Sequence, residues 1–170
     1  AQTYFVPVEA ATEAKASLVA GDVLFNNTNS VELVGKSALV LSDTKAAFSN
    51  YITRIRVNAS TVSPAYFNYW LRFEQAKGTF AAAATQWVSQ AAFRASDMKR
   101  LEIPLPPLEE QHRIVDLLSR AEGIVRLRRE AQRKAAELLP TLFLDIFGDP
   151  ASNPKGWPVV RIGDLGRVQL

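Results

Sequence analysis

A single histidine, His112, and no cysteine leave this chain few routes to nucleophilic or metal chemistry. His112 stands between Gln111 and Arg113 with no acid cluster at ligand spacing, so it reads as a solvated residue in the first turn of a helix. Gly35-Lys36-Ser37 has the ending of a phosphate loop, but Ser30 occupies the earlier position that must be glycine. Ser63-Pro64-Ala65-Tyr66 approaches the Pro-Pro-aromatic box in which amino-methyltransferases stack a flipped base. Ala65 replaces the second proline, and no glycine-rich cofactor loop accompanies it. Asp97-Met98-Lys99 could be half of a nuclease carboxylate–lysine motif, yet no upstream acid pairs with it. No catalytic residue, metal site or cofactor is therefore expected in this chain.

Amide side chains are the more informative chemistry. Residues 26–30 read Asn-Asn-Thr-Asn-Ser, and Thr85-Gln86 precede a tryptophan, Trp87. Asn and Gln amides can pair with adenine edges in the major groove, while Lys and Arg hold phosphates. Asn26, Asn27, Asn29, Lys36, Thr85 and Gln86 are accordingly the candidate DNA contacts. Without a DNA role the same residues would make a polar surface loop beside a buried tryptophan.

Composition sets the frame for these candidates. The chain has 170 residues, 48% of them hydrophobic and 22% charged, which suits a globular protein with a real core. The 20 Lys and Arg side chains against 17 Asp and Glu give a formal charge of only +3, with no basic tail. Any nucleic-acid binding must therefore use local patches rather than a global field. No apolar run reaches the ~18 residues of a membrane span. The lack of cysteine fits a reducing compartment, and a cytoplasmic location is the expectation.

The elements that must position the amides divide the chain in two styles. Residues 1–60 read as β-rich: a Gly21-Asp22 turn, the apolar run Val23-Leu24-Phe25, then a polar loop at 26–30. Residues 31–41 read as a strand with Gly35 as a bulge or close-approach point. Residues 50–57 alternate apolar and polar side chains, the period of a half-buried strand. Ser63 then reads as a helix cap and Pro64 as the first helical residue. Tyr66, Phe67, Trp70, Leu71 and Phe73 follow at helical spacing up to Gly78. Residues 79–95 carry no clear period. Ser96-Asp97 could cap a short helix to Leu101, and residues 101–107 read as extended because three prolines fall there.

Residues 108–139 carry the clearest period. Ile114, Leu117, Ala121, Ile124, Arg128, Ala131, Ala135, Leu138 and Leu142 step by three and four in alternation. All but Arg128 are apolar, so this is a heptad seam for a partner helix. Glu109 and Glu110 suit the start of such a helix, and Arg133 and Lys134 suit its later part. Pro140 should kink or end it. Residues 148–156 read as a linker, and residues 157–165 as a new strand and turn.

One stretch resembles a known family. Residues 101–115, Leu-Glu-Ile-Pro-Leu-Pro-Pro-Leu-Glu-Glu-Gln-His-Arg-Ile-Val, closely resemble the junction in type I restriction-modification specificity subunits where a target recognition domain meets a conserved helix. Pro104, Leu105, Pro106, Pro107, Leu108, Glu110, Gln111, Ile114 and Val115 carry the likeness. Gly21-Asp22-Val23-Leu24 with Val34-Gly35-Lys36 is similar to the family's mid-domain strand pair. Thr85-Gln86 followed by Met98-Lys99-Arg100-Leu101 is similar to its approach to the junction. Trp157-Pro158 through Gly163-Asp164-Leu165 resembles the opening of a recognition domain.

The resemblance implies an α+β fold: a mixed, β-rich target recognition domain followed by a long helix that pairs in an antiparallel coiled coil. Residues 1–107 would be the C-terminal part of one recognition domain, 108–147 the spacer helix, and 148–170 a linker and the first strand of a second domain. The interface residues would be Ile114, Leu117, Ala121, Ile124, Ala131, Ala135 and Leu138. The implied function is sequence recognition without catalysis, on double-stranded DNA, in a complex with methyltransferase (modification) subunits and a restriction subunit. S-adenosylmethionine, ATP and magnesium would belong to those partners. The partner helix would come from the rest of the subunit or by self-association with a second copy. The alternative reading of the residues is a coiled-coil protein-interaction module carrying an α/β domain, with no DNA role.

Overall fold

The computed structural model of the chain describes residues 17–46, 48–87 and 90–166. The fold is α+β, and the chain divides into two compact units, Ala1–Ser119 and Arg120–Leu170.

The first unit opens with β1 (Ser17–Leu18) and β2 (Val23–Asn26), followed by β3 (Thr28–Asn29), β4 (Ser37–Leu39), β5 (Thr44–Lys45) and β6 (Ile52–Ile55). β2 lies between β4 and β6 in an antiparallel sheet, and β1 pairs with β5. Val23 and Phe25 are buried while Leu24 and Asn26 are half-buried, the two-residue period expected of a strand with one face on a core. The strand expected at residues 50–57 is β6, limited to Ile52–Ile55, and its four residues are all half-buried rather than alternating.

Residues 31–41 are not one strand. The Leu33 and Val34 amides both donate to the Ser30 carbonyl and close a turn, and only Ser37–Leu39 is extended. The reason sits at Gly35, which has φ +85° and lies against the Phe80 ring where a Cβ would stand. Only glycine tolerates both conditions, so the chain turns there before β4 begins. The polar stretch 26–30 is likewise not a simple loop, since it is divided between the end of β2 and β3.

α1 (Pro64–Ala76) starts as expected, with Ser63 Oγ accepting from the Tyr66 amide and Pro64 in the first turn. It ends before Gly78, whose φ of +82° lies in the left-handed region. Tyr66 and Leu71 are buried, Phe67 and Trp70 pack partly against the core, and Phe73 points outward. Residues 79–95, which have no clear period, form α2 (Thr79–Ala83), β7 (Thr85–Gln86) and β8 (Ala91–Ala92). The short helix that follows, α3 (Ala95–Met98), is preceded by Arg94 with no side-chain cap, so Ser96-Asp97 lie inside it. Phe25, Phe80 and Phe93 meet edge to face at centroid distances of 5.0, 5.2 and 5.9 Å and form the middle of the core.

α4 (Leu108–Phe147) is a helix of 40 residues. It continues through Pro140 rather than ending there, although proline leaves the Ala136 carbonyl without its helical donor. The turns beyond it are held from their far end. The Gly148 amide donates to Leu144, the Lys155 ammonium to the carbonyls of Asp145 and Ile146, and the Trp157 indole to Phe147. Phe143 and Phe147 also pair at 4.9 Å. No basic residue of α4 itself lies in its last turn, so Lys155 supplies the cation that suits the helix dipole in place of Arg133 and Lys134. Residues 157–160 are not a strand: among the described residues no strand pairs with them, and a single helical turn, α5 (Ile162–Leu165), follows. No described helix is long and apolar enough to cross a membrane.

Candidate nucleic-acid interface

Two stretches far apart in sequence come together on one small sheet. β8 lies between β3 and β7, and all its pairings are antiparallel. Ala91 is in register with Asn29 on one side and Gln86 on the other, and Ala92 with Thr28 and Thr85. Strands in a sheet lie about 4.8 Å apart, so Asn29 and Gln86 flank Ala91 across roughly 10 Å. Thr85 and Gln86 are exposed, Asn29 is half-buried, and Gln86 Nε2 donates to the Ala81 carbonyl at 3.2 Å. Asn29 Oδ1 accepts from the Ser30 amide at 2.9 Å. The β7–β8 hairpin is closed by the Trp87 amide donating to Gln90, and Trp87 is 60% exposed rather than buried.

Asn27 sits where the chain passes from the β2 sheet to the β3 sheet. Its Nδ2 donates to the Asn50 carbonyl at 3.1 Å and to Thr53 Oγ1 at 2.9 Å, and its Oδ1 accepts from Thr28 Oγ1. Its backbone amide donates to Tyr51, and its carbonyl accepts from Phe93. This amide therefore holds the bend between the sheets. Asn26 acts through its backbone: its N–H donates to Lys36 and its carbonyl accepts from Gly35, while its Oδ1 is buried. The ammonium-bearing Lys36 is thereby fixed at the root of β4 and is exposed.

Other polar contacts stabilise the frame. The buried Asp22 carboxylate accepts two bonds from the Arg56 guanidinium, at 2.7 and 2.9 Å, and one from the Val19 amide. The Arg56 bonds hold the Asp22 carboxyl below its ordinary range against the opposing effect of burial. Glu74 is lowered in the same way by Thr79 and then Lys77, and Glu110 by Arg113. His112 is exposed. Among the described residues no group of three or more His, Asp or Glu side chains could hold a metal ion.

Gln111 is the functional candidate whose burial the sequence conceals. It is the one buried residue of α4, with 0% of its surface exposed. Its Oε1 accepts the Ser63 amide at 2.8 Å, and its Nε2 donates to the carbonyls of Thr61 at 3.0 Å and Pro106 at 2.8 Å. The Tyr66 hydroxyl adds a bond to the Pro104 carbonyl at 2.8 Å. Gln111 thus ties the start of the long helix to the start of α1. A glutamine following three prolines is the signal that could have marked it.

The candidate interface residues of α4 lie open. Ile114 is half-buried, and Leu117, Ala121, Ile124, Ala131, Ala135 and Leu138 are exposed. Leu117, Ile124 and Leu138 show 51%, 68% and 57% of their surface, far more than an apolar seam keeps when paired.

Comparison with known proteins gives these features a common setting. The family model for the type I restriction modification DNA specificity domain matches residues 11–137. A Methanocaldococcus jannaschii protein provisionally named a type I restriction enzyme MjaX specificity subunit is 31% identical over 89% of this chain and 39% of its own length. The EcoBI specificity subunit of Escherichia coli is 23% identical over 69% of this chain and 25% of its own. Among solved structures, the HsdS subunit from Thermoanaerobacter tengcongensis has TM-score 0.51 and 30% identity, covering 92% of this chain and 41% of that one. A chain from a structure concerned with complex assembly and conformational transition of the type I R-M system has TM-score 0.58 and 32% identity, covering 87% and 39%. The chain therefore spans about two fifths of the length of the MjaX protein and of the two solved chains, and about a quarter of the EcoBI subunit.

Proposed function

This chain belongs to the type I restriction-modification DNA specificity family, and from that membership we propose that it reads DNA sequence and carries a helix on which its complex assembles. The observation that carries the proposal is the β3-β8-β7 sheet, which sets Asn29 and Gln86 in register on either side of Ala91, and Thr85 in register with Thr28 across Ala92. Side chains on such a sheet can reach base edges, and the exposed Lys36 can hold a phosphate. Asn26 and Asn27 contribute by fixing the bend from which β3 and Lys36 project.

In this reading residues 1–107 are the later part of a target recognition domain, residues 108–147 the spacer helix, and residues 148–170 the passage into a second domain. The open apolar residues of α4 pair antiparallel with a second long helix, because a charged face cannot shield them and solvent does not. Modification subunits and a restriction subunit join the resulting scaffold. The chain itself transfers no methyl group and cuts no DNA; S-adenosylmethionine, ATP and magnesium belong to those partners. A protein-interaction module without a DNA role would need the same open seam but not Asn29 and Gln86 placed on either side of Ala91.

Selection from a random duplex library, using the modification complex assembled on the complete subunit, tests the proposal. The expected result is enrichment of a split target, with binding that weakens steeply as salt rises. Binding that enriches no sequence would overturn it in favour of the interaction module.

A further inference from the structure

We infer that Gln111 is a positioning residue, which fixes the direction in which the first turns of α4 leave the DNA-reading half of the chain. The functional consequence rests on the recognition reading above. Gln111 uses three bonds on three segments: the cap residue of α1 (Ser63), the turn before it (Thr61), and the extended run before α4 (Pro106). Two of these partners lie 48 and 50 residues away in sequence. Tyr66, further along the first turn of α1, makes the second bond between α1 and that extended run, at Pro104. Two anchors define a line where one would leave a pivot. Pro104, Pro106 and Pro107 stiffen the approach, because each ring fixes a backbone angle.

The choice of an amide matters. Apolar burial is non-directional and tolerates sliding, whereas a hydrogen-bonded amide accepts a narrow range of angles. A helix of 40 residues extends roughly 60 Å at about 1.5 Å per residue. A swing of about 10° at its root would carry the far end roughly 10 Å, or about three base-pair rises of ~3.4 Å. A spacer that sets the distance between two half-sites needs its root held more tightly than that.

Two measurements on Gln111→Met, which keeps the volume and removes all three bonds, test the inference. In the first, the modification complex assembled on the complete subunit is offered duplexes whose half-sites stand one base pair closer or farther than the preferred spacing. The variant should lose several-fold of the wild-type preference for the right spacing while keeping the same half-site bases. In the second, Lys77→Cys and Ser119→Cys carry spin labels in this chain, which has no cysteine of its own. Their distance distribution should be narrow with Gln111 and broad with Met. Unchanged spacing preference or unchanged width would overturn the inference. So would loss of half-site preference in the variant, which would make Gln111 a residue of the fold alone. A wild-type complex with no half-site preference would sink the recognition reading instead, and the label distances would still judge the positioning.

Discussion

The Oε1 of Gln111 accepts the backbone N–H of Ser63 at 2.8 Å, so the first turn of the long helix completes the cap of α1. Removing that side chain as Gln111→Ala leaves the buried Ser63 amide and the part-buried Thr61 and Pro106 carbonyls without their partner. Unsatisfied buried groups are costly, and the loss should be roughly 2–4 kcal/mol. Urea unfolding of the chain should show a lower midpoint with little change in slope. A midpoint equal to wild type would mean that water replaces the amide at no penalty.

Asp22 gives the fold an acid-sensitive point. Its carboxyl is held low in the folded chain, first by the Arg56 bonds, so it binds a proton less readily folded than unfolded. The stabilisation is therefore present above the unfolded pKa, near the ordinary carboxylate value, and is lost as pH falls through the lower folded value. Asp22→Asn should lose about 1.5–3 kcal/mol near neutral pH, the scale of charge-assisted hydrogen bonds. Its stability should also change less than wild type on acidification. Equal pH dependence of wild type and variant in thermal melts would show that another carboxylate dominates.

The seam on α4 should behave as an interface. Leu117→Asp and Leu138→Asp place a charge where a partner helix would bury it, and assembly with the modification subunits should fail or weaken by more than tenfold, about 1.4 kcal/mol. Glu130→Ala removes an exposed ion pair to Arg126 and should change assembly little. Sedimentation of the mixtures separates the two classes. Normal assembly of both leucine variants would place the interface elsewhere.

Local signals were legible where a residue fixes its own backbone. Ser63-Pro64 and Gly78 bracket α1, and the apolar series from Ile114 marks α4. The turn at 31–35 was hidden because Val31, Leu33 and Val34 favour strands, while the deciding contact, Gly35 against Phe80, is 45 positions away. Non-local pairing also hid the β3-β8-β7 sheet, since two-residue strands have no period to read. Resemblance to the family pointed to Thr85-Gln86, but only the register places Gln86 and Asn29 on either side of Ala91. Gln111 stood out only as part of the junction signature, because its burial depends on Thr61 and Ser63, 50 and 48 residues away. The period alone reads to about residue 139, with Pro140 as a kink or end, whereas the resemblance implies 108–147; the helix runs on to Phe147, where the cation and indole that hold its last turn come from Lys155 and Trp157 beyond it.

Competitive binding of labelled duplexes to the assembled modification complex tests the recognition claim most directly. Gln86→Ala should reduce discrimination against one base-pair change in the target by about 1–3 kcal/mol while leaving other positions alone. Lys36→Ala should weaken every duplex alike and reduce the salt slope by about 1. If both variants bind and discriminate as wild type does at every salt concentration, the β3-β8-β7 surface does not read DNA and the account is contradicted.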